Sequence, residues 1–187
     1  MTRSLWNRPS AWAVAIAAAC CSCGVSIHDK AANGEIEVVA AMLEQDPGLL
    51  ESTNTQGKAR GKTPLHYAVT YGQAEVVALL LDRGAQVNVT DGTGMTPLHM
   101  AATLNRLDEA ELLLAHGADI EARDVFGDTP LHAAVLFEQT PMIAWLTEHG
   151  ADRYAENHDG RTPLECARHY TRSRSIAFLE HLDLVDD

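Results

Sequence analysis

Thr63-Pro64-Leu65-His66 is the first of four copies of one motif, three of them identical, and the spacing of the copies sets the organisation of the chain. It returns as Thr96-Pro97-Leu98-His99, as Thr129-Pro130-Leu131-His132 and, with glutamate replacing histidine, as Thr162-Pro163-Leu164-Glu165, each copy beginning 33 residues after the last. Flanking residues keep the same step: Gly61, Gly94, Gly127 and Gly160 before the threonine, and Ala68, Ala101, Ala134 and Ala167 after it. A fixed period of this length predicts a repeat architecture.

Each copy predicts a turn followed by the start of a helix. Threonine is a good N-cap, because its hydroxyl accepts from a backbone N–H that lacks a helical partner. Proline suits the first helical position, where its missing N–H costs nothing. A second apolar segment, seen in Leu79–Leu81 and Leu112–Leu114, ends at Gly84 and Gly117 and predicts a second helix with a glycine C-cap. Every repeat is therefore expected to hold a helix pair.

The 33-residue unit and its T-P-L-H-x-A signature resemble the ankyrin-repeat family, over roughly residues 27–187. The resemblance implies an all-α repeat solenoid of helix–turn–helix units with β-hairpin fingers, which binds other proteins and performs no catalysis. We expect a repeat domain at 28–187, composed of an N-cap repeat at 28–60, internal repeats at 61–93, 94–126 and 127–159, and a C-cap repeat at 160–187.

Three substitutions within the pattern carry local expectations. Asn105 replaces the glycine found at Gly72, and asparagine tolerates the left-handed conformation that such a turn requires. Glu138 stands at the same place in the third repeat, so a local rearrangement is expected between its helices. Thr162 and Glu165 form a predicted capping box, which fits a terminal repeat.

The composition is acidic, with 26 Asp and Glu against 14 Lys and Arg and a formal net charge of −12. Such a surface repels phosphate backbones, so nucleic acid is not an expected partner.

Because His66, His99 and His132 are motif positions, the resemblance implies structural roles that tie adjacent turns together. No nucleophile elbow, phosphate loop or zinc-protease motif is present. We predict a monomer that is not an enzyme and needs no cofactor or metal.

Residues 1–19 have the features of a signal peptide, with Arg3 and Arg8 preceding a short apolar run, and residues 20–27 form a short tether. Small residues followed by Cys20 resemble the lipobox of bacterial lipoproteins, although Ala17 stands where that family prefers leucine. Three outcomes stay open: acylation of Cys20 and membrane anchoring, ordinary cleavage and soluble export to the periplasm, and a cytoplasmic adaptor.

Clustered thiols raise a different function class. Cys20, Cys21 and Cys23 could form a thiol or metal site carried on a repeat scaffold, but no second cluster completes a tetrahedral set. Cys166 lies within the first helix of the last repeat and is expected to be a small buried hydrophobe.

Family members bind partners with the hairpin tips and the exposed side of the first helix, and large apolar residues occupy these positions here. Tyr71, Leu104, Phe137 and Tyr170 recur at one repeat position. The candidate partner-binding residues are Tyr67, Tyr71, Met95, Met100, Leu104, Val125, Phe126, Leu136, Phe137 and Tyr170. Met100, Leu104, Phe126 and Phe137 are expected at the centre of the groove. The alternative is that these side chains pack beneath their own fingers as core.

The first finger carries Lys58, Arg60 and Lys62, which are either a solvated tip or a contact for an acidic partner or lipid head groups. The chain resembles compact, exported bacterial ankyrin proteins, and this resemblance implies an inhibitor, immunity or envelope stress-protection role. No residue selects among these roles.

Overall fold

The computed structural model describes residues 10–11, 14–15, 26–54 and 60–185, with side chains as far as Leu182. Its helices, numbered from residue 27 onward, are α1 (Ile27–Ala32), α2 (Ile36–Gln45), α3 (Pro64–Thr70), α4 (Ala74–Asp82), α5 (Pro97–Leu104), α6 (Leu107–Ala115), α7 (Pro130–Leu136), α8 (Thr140–Glu148), α9 (Pro163–His169) and α10 (Ser173–Val185). A 3-10 helix, Pro47–Glu51, follows α2. The expected cleavage region with Cys20, Cys21 and Cys23, and also Lys58, lie outside the described residues.

Every Thr-Pro copy begins a helix as predicted, and the histidine takes part in the cap. In α5 the Thr96 hydroxyl accepts from the His99 backbone N–H, while His99 Nδ1 accepts from the Thr96 N–H at 3.2 Å. The same reciprocal box is present in α3 and α7. Glu165 performs this role in α9, where its Oε2 accepts from the Thr162 N–H at 2.9 Å. The predicted Glu165 box is confirmed.

The turn between paired helices is the same in successive repeats. Asn105 adopts the left-handed conformation as expected, with φ 55°. The rearrangement expected at Glu138 is wrong, because Glu138 adopts φ 56° and Gln139 N donates to Ala134 O at 2.9 Å. This bond also closes the turn after α3. Glu138 therefore accepts an unfavourable backbone conformation and preserves the turn.

Stacking gives one continuous core. The first helices of successive repeats pack in a row, α1 on α3, α3 on α5, α5 on α7 and α7 on α9. Leu65, Leu98 and Leu131 recur within this row and are fully buried. A helix pair cannot cover its own apolar face, so each repeat depends on its neighbours for burial.

The fingers are turns, and the expected β-hairpins are not formed, since no strand occurs among the described residues. Asp124 N donates to Asp128 O at 3.0 Å and Gly127 N to Asp124 O at 3.0 Å, which closes a tight turn too short for a strand ladder. Neighbouring fingers are joined directly, because Val125 N donates to Thr93 O at 3.2 Å. No helix in the described part of the chain is long and apolar enough to span a bilayer.

Candidate partner-binding face

Four large apolar side chains lie at the C-terminal ends of successive first helices. Tyr71, Leu104, Phe137 and Tyr170 expose 56%, 40%, 59% and 48% of their surface. Tyr71, Phe137 and Tyr170 are the C-cap residues of α3, α7 and α9, and Leu104 is the last residue of α5. The alternative in which these four pack as core is therefore not what the molecule adopts. Their role in binding stays a prediction.

The third finger adds two exposed apolar side chains to this row. Val125 is 54% exposed and Phe126 is 66% exposed. The tip is fixed by Asp124, whose Oδ1 accepts from Phe126 N at 2.8 Å and from Asp128 N at 3.0 Å. Rigid presentation of an aromatic side chain lowers the entropy lost when a partner binds.

Two candidate residues near the start of the stack, Tyr67 and Met95, are less exposed than the row. Tyr67 is half-buried and stacks on Tyr71 with ring centroids 6.5 Å apart. Its hydroxyl accepts from Asn54 Nδ2 at 2.8 Å. Met95 is also half-buried, in the second finger.

Met100 does not lie on the exposed groove, and its expected place at the groove centre is wrong. Its side chain is 6% exposed and belongs to the core. Lys62, from the preceding finger, lies over it with Nζ 3.6 Å from Sδ. Met100 is buried because Lys62 covers it. The repeat position does not predict this burial, because the equivalent residues are as different as Tyr67 and Ala133.

A cavity of about 410 Å³ opens between the third and fourth repeats. Its lining includes Val125, Phe126, Asp128, Leu136, Cys166 and Tyr170. Leu136 is half-buried and reaches the groove here. Val125, Phe126, Leu136 and Tyr170 thus line one cavity, and Phe137 is not part of its lining. The lining also contains Asp128, at the end of the third finger, and Cys166, neither of which was among the candidate partner-binding side chains.

The buried histidines hold the stack together. Nε2 of His66, His99 and His132 lies 3.1, 3.0 and 3.0 Å from the carbonyl oxygens of Met95, Asp128 and Arg161 in the following finger. Burial lowers the pKa of all three, that of His66 to about 4. Neutral rings accept from the threonine N–H through Nδ1 and donate through Nε2. The structural role of these residues is confirmed.

Within the described part of the chain, one side-chain cluster has the composition of a metal site. Ligand atoms of Asp128, His132 and Cys166 lie within 4.8 Å of one another. Both nitrogens of His132 are already hydrogen-bonded, to Thr129 N and Arg161 O. Burial raises the pKa of the Cys166 thiol to about 11, which disfavours the thiolate that a metal requires. Cys166 is 1% exposed, so its prediction as a buried hydrophobe is confirmed.

Comparison with known proteins agrees with this geometry. A family model for three copies of the ankyrin repeat matches residues 27–124, and a model of a single ankyrin repeat matches residues 126–158. This chain belongs to the ankyrin-repeat family. Its ankyrin repeats constitute a protein–protein interaction module.

Two curated proteins that match part of this chain are much longer than it. A probable E3 ubiquitin-protein ligase XBOS32 of Oryza sativa subsp. japonica is 32% identical over 75 residues, which are 40% of this chain and 14% of that protein. Palmitoyltransferase AKR1 of Lachancea kluyveri is 35% identical over 68 residues, 36% of this chain and 9% of that protein. The chain therefore spans a small part of either relative.

Asp128 and Cys166 had a signal in the sequence that repeat alignment exposes. The residue before each motif threonine is Lys62, Met95, Asp128 or Arg161, so an acid stands there only once. Cys166 aligns with Ala133 in the third repeat, and the first two repeats have the larger Tyr67 and Met100 at this position. An acid beside a small residue could have indicated the cavity.

Proposed function

We propose that this ankyrin module binds one partner protein through its finger tips and concave first-helix face, and acts by blocking or recruiting that partner. The observation that carries the proposal is the exposed row formed by Tyr71, Leu104, Phe137 and Tyr170. Monomeric proteins seldom expose contiguous apolar surface without an interaction to serve. Aromatic side chains are also enriched at the cores of protein interfaces.

The state of the buried motif histidines supports binding over catalysis. His66, His99 and His132 are fully buried, and both ring nitrogens of each are hydrogen-bonded. Their pKa values are lowered by burial, away from the range that suits general acid–base work near neutral pH.

The double variant Phe126→Ala with Phe137→Ala tests this binding face. Both side chains are largely exposed, so we expect little loss of stability and a large loss of binding. Tyr154→Ala is the matched control, because Tyr154 is an aromatic side chain with 64% exposure in another loop. A photo-crosslinker at position 137 should capture one discrete partner in the native cell, and one at position 154 should not.

Two results would reject the binding face. Crosslinking that is equal at positions 137 and 154 means that the contact is non-specific. A loss of about 3–5 kcal/mol in the unfolding free energy of either Phe→Ala single variant would mean that the side chain belongs to the core.

Export with acylation at Cys20 is proposed as the cellular context of this binding. It is supported by the basic start, the short apolar run and the small residues before Cys20. An inhibitory, immunity or envelope stress-protection role would then act on a partner in the cell envelope. Mass spectrometry of the mature N-terminus should find Cys20 as the acylated first residue. An intact N-terminus would support the cytoplasmic alternative, and free thiols with bound metal would support the metal-site alternative.

A further inference from the structure

The cavity between the third and fourth repeats is lined by two side chains, Asp128 and Cys166, that are smaller than their equivalents Lys62 and Met100 between the first and second repeats. Position 166 holds cysteine, whereas the equivalent position in the second repeat holds Met100, which is buried beneath Lys62. Asp128 and Cys166 are separated by the same number of residues as Lys62 and Met100, so the two pairs occupy equivalent positions in the repeat. Lys62 covers Met100 between the first and second repeats. Asp128 and Cys166, by contrast, line a cavity of about 410 Å³.

The Asp128 carboxylate is the charged group best placed to recognise a ligand in this cavity. Its Oδ1 accepts from Asn157 Nδ2 at 2.7 Å, and none of the ion pairs among the described residues includes it. The nearby His132 ring does not compensate the charge, because burial lowers its pKa and both its nitrogens are hydrogen-bonded.

The neighbouring cations are engaged with other groups. Arg123 Nη1 donates to the carbonyl oxygens of Gly127 and Glu156, at 3.0 and 2.6 Å. Arg161 Nη1 donates to Asp159 Oδ2 at 2.8 Å. Among the described residues no lysine or arginine lines the cavity; Asp159 supplies a second carboxylate to the lining, and Asn157 and His158 complete its polar part. The electrostatic balance of the lining is therefore negative.

The remaining lining is suited to an apolar chain that ends in a cation. Val125, Phe126, Leu136 and Tyr170 supply aliphatic and aromatic surface to the same lining as Asp128. Lysine and arginine bury their methylene stems on apolar surface while the charged head meets a polar group. Aromatic faces add a cation–π attraction. Arginine also suits a carboxylate through its planar fork of donors.

We propose that this cavity receives a lysine or arginine side chain of the partner protein, with the cationic head on the Asp128 carboxylate. This proposal rests on the proposed binding function and adds the chemistry of the partner: a basic residue within an apolar segment. The chain's net charge of −12 favours encounter with such a partner.

Selection from a displayed library of random linear peptides against the full chain tests this chemistry. We expect the selected peptides to share one lysine or arginine flanked by large apolar residues. The variant Asp128→Asn keeps an oxygen that can accept from Asn157 and removes the charge, so its selected peptides should lose the basic residue and keep the apolar ones. Asp108→Asn is the matched control, since Asp108 is exposed in α6 and does not line the cavity, and it should leave the selection unchanged.

A second variant tests the cavity without changing its charge. Cys166→Met copies the residue of the second repeat and should fill the space beside Asp128. We expect it to weaken a selected basic peptide by about tenfold or more, as loss of a close charge pair does. Replacement of the basic residue of that peptide by methionine should have a similar effect on wild type and little effect on Asp128→Asn.

The outcomes separate the two proposals. Peptides that bind the exposed row, are lost in the Phe126→Ala and Phe137→Ala variant, and show no basic preference would overturn the cavity assignment and leave the binding face intact. A basic preference that Asp108→Asn removes as fully as Asp128→Asn would show general attraction to an acidic surface and also overturn it. A loss of all peptide binding in Asp128→Asn, with a circular dichroism melt like that of wild type, would overturn it too, because the apolar row would not then bind independently.

Discussion

The motif histidines join three functions in a single side chain. His99 caps α5 through Nδ1, bonds the next finger through Nε2 and fills a fully buried site. Only the neutral ring satisfies both hydrogen bonds, so folding selects against protonation. Stability of the stack is therefore tied to pH.

Acidification should destabilise the protein through these histidines. The pKa of His66 falls to about 4 in the folded state, below its ordinary 6.5, because of desolvation. Above pH 6.5 both states are neutral and the ring adds no pH dependence. As the pH falls from 6.5 towards 4, the unfolded state binds the proton first and the unfolding free energy decreases. His66 alone accounts for a loss of about 3 kcal/mol over this window.

Urea titrations of His66→Gln and wild type at several pH values measure this effect. Glutamine can cap Thr63 but should not reproduce the bond to Met95 O, so the variant is expected to be about 1–3 kcal/mol less stable near neutral pH. The difference between variant and wild type should shrink as the pH approaches 4. His181→Gln, at an exposed site, is the control and should track wild type. Parallel profiles for His66→Gln and wild type would contradict the assignment.

Thr171 adopts a backbone conformation that destabilises the folded state. It adopts φ 55°, a conformation that is unfavourable for a β-branched side chain. Thr171→Gly should raise the unfolding free energy by about 1 kcal/mol, because strain of about 1–2 kcal/mol outweighs the added flexibility of glycine. Thr171→Ala serves as the control, since alanine keeps most of the strain. Equal gains for both variants in urea unfolding would rule out backbone strain as the cause.

At the scale of the element, the finger depends on close approach to its neighbour. A Cβ added at Gly94 would lie 2.8 Å from Val125 N and 3.1 Å from the Asp124 carbonyl carbon, while one at Gly84 would meet nothing within 4 Å. Both glycines have positive φ, so both alanine variants carry the same type of backbone strain. Their difference isolates the contact between fingers.

Gly94→Ala should therefore cost more than Gly84→Ala. We expect about 1–2 kcal/mol for Gly84→Ala from the left-handed backbone. Gly94→Ala should add about 1–3 kcal/mol, because the next finger has to shift. Thermal and urea unfolding of the two variants provide the measurement. Similar losses would mean that adjacent fingers move apart freely.

The elements that could be predicted from the sequence are those fixed by residues close to one another in the chain. Thr96 and Pro97 act on their own backbone, so the start of α5 was readable from the sequence. Met100 was misplaced because its burial depends on Lys62, 38 residues earlier in the chain. The cavity was missed for the same reason: it results from a finger residue, Asp128, and a helix residue, Cys166, of the next repeat. Such pairings appear only when repeats are compared across their interfaces.

For the whole molecule, stability is distributed between repeats and the contacts between them. Val135 O accepts from Ser175 Oγ at 2.9 Å, and Thr103 O accepts from Gln139 Nε2 at 3.1 Å, so side chains of one repeat bond the backbone of its predecessor. Internal repeats have such contacts on both sides, and terminal repeats on one. Opening should therefore begin at the ends of the stack.

Hydrogen exchange followed by mass spectrometry should resolve this gradient. Amides of α5 and α7 are expected to exchange most slowly, and those of α1 and α10 fastest. Leu113→Ala, in the fully buried centre, should lower the global unfolding free energy by about 2–5 kcal/mol and accelerate exchange on both sides of α6. Ala177→Gly provides a comparison in α10, because Ala177 is exposed and its replacement should accelerate exchange only near that end. Uniform exchange along wild type, or acceleration confined to α6 in Leu113→Ala, would contradict a stack whose repeats depend on their neighbours.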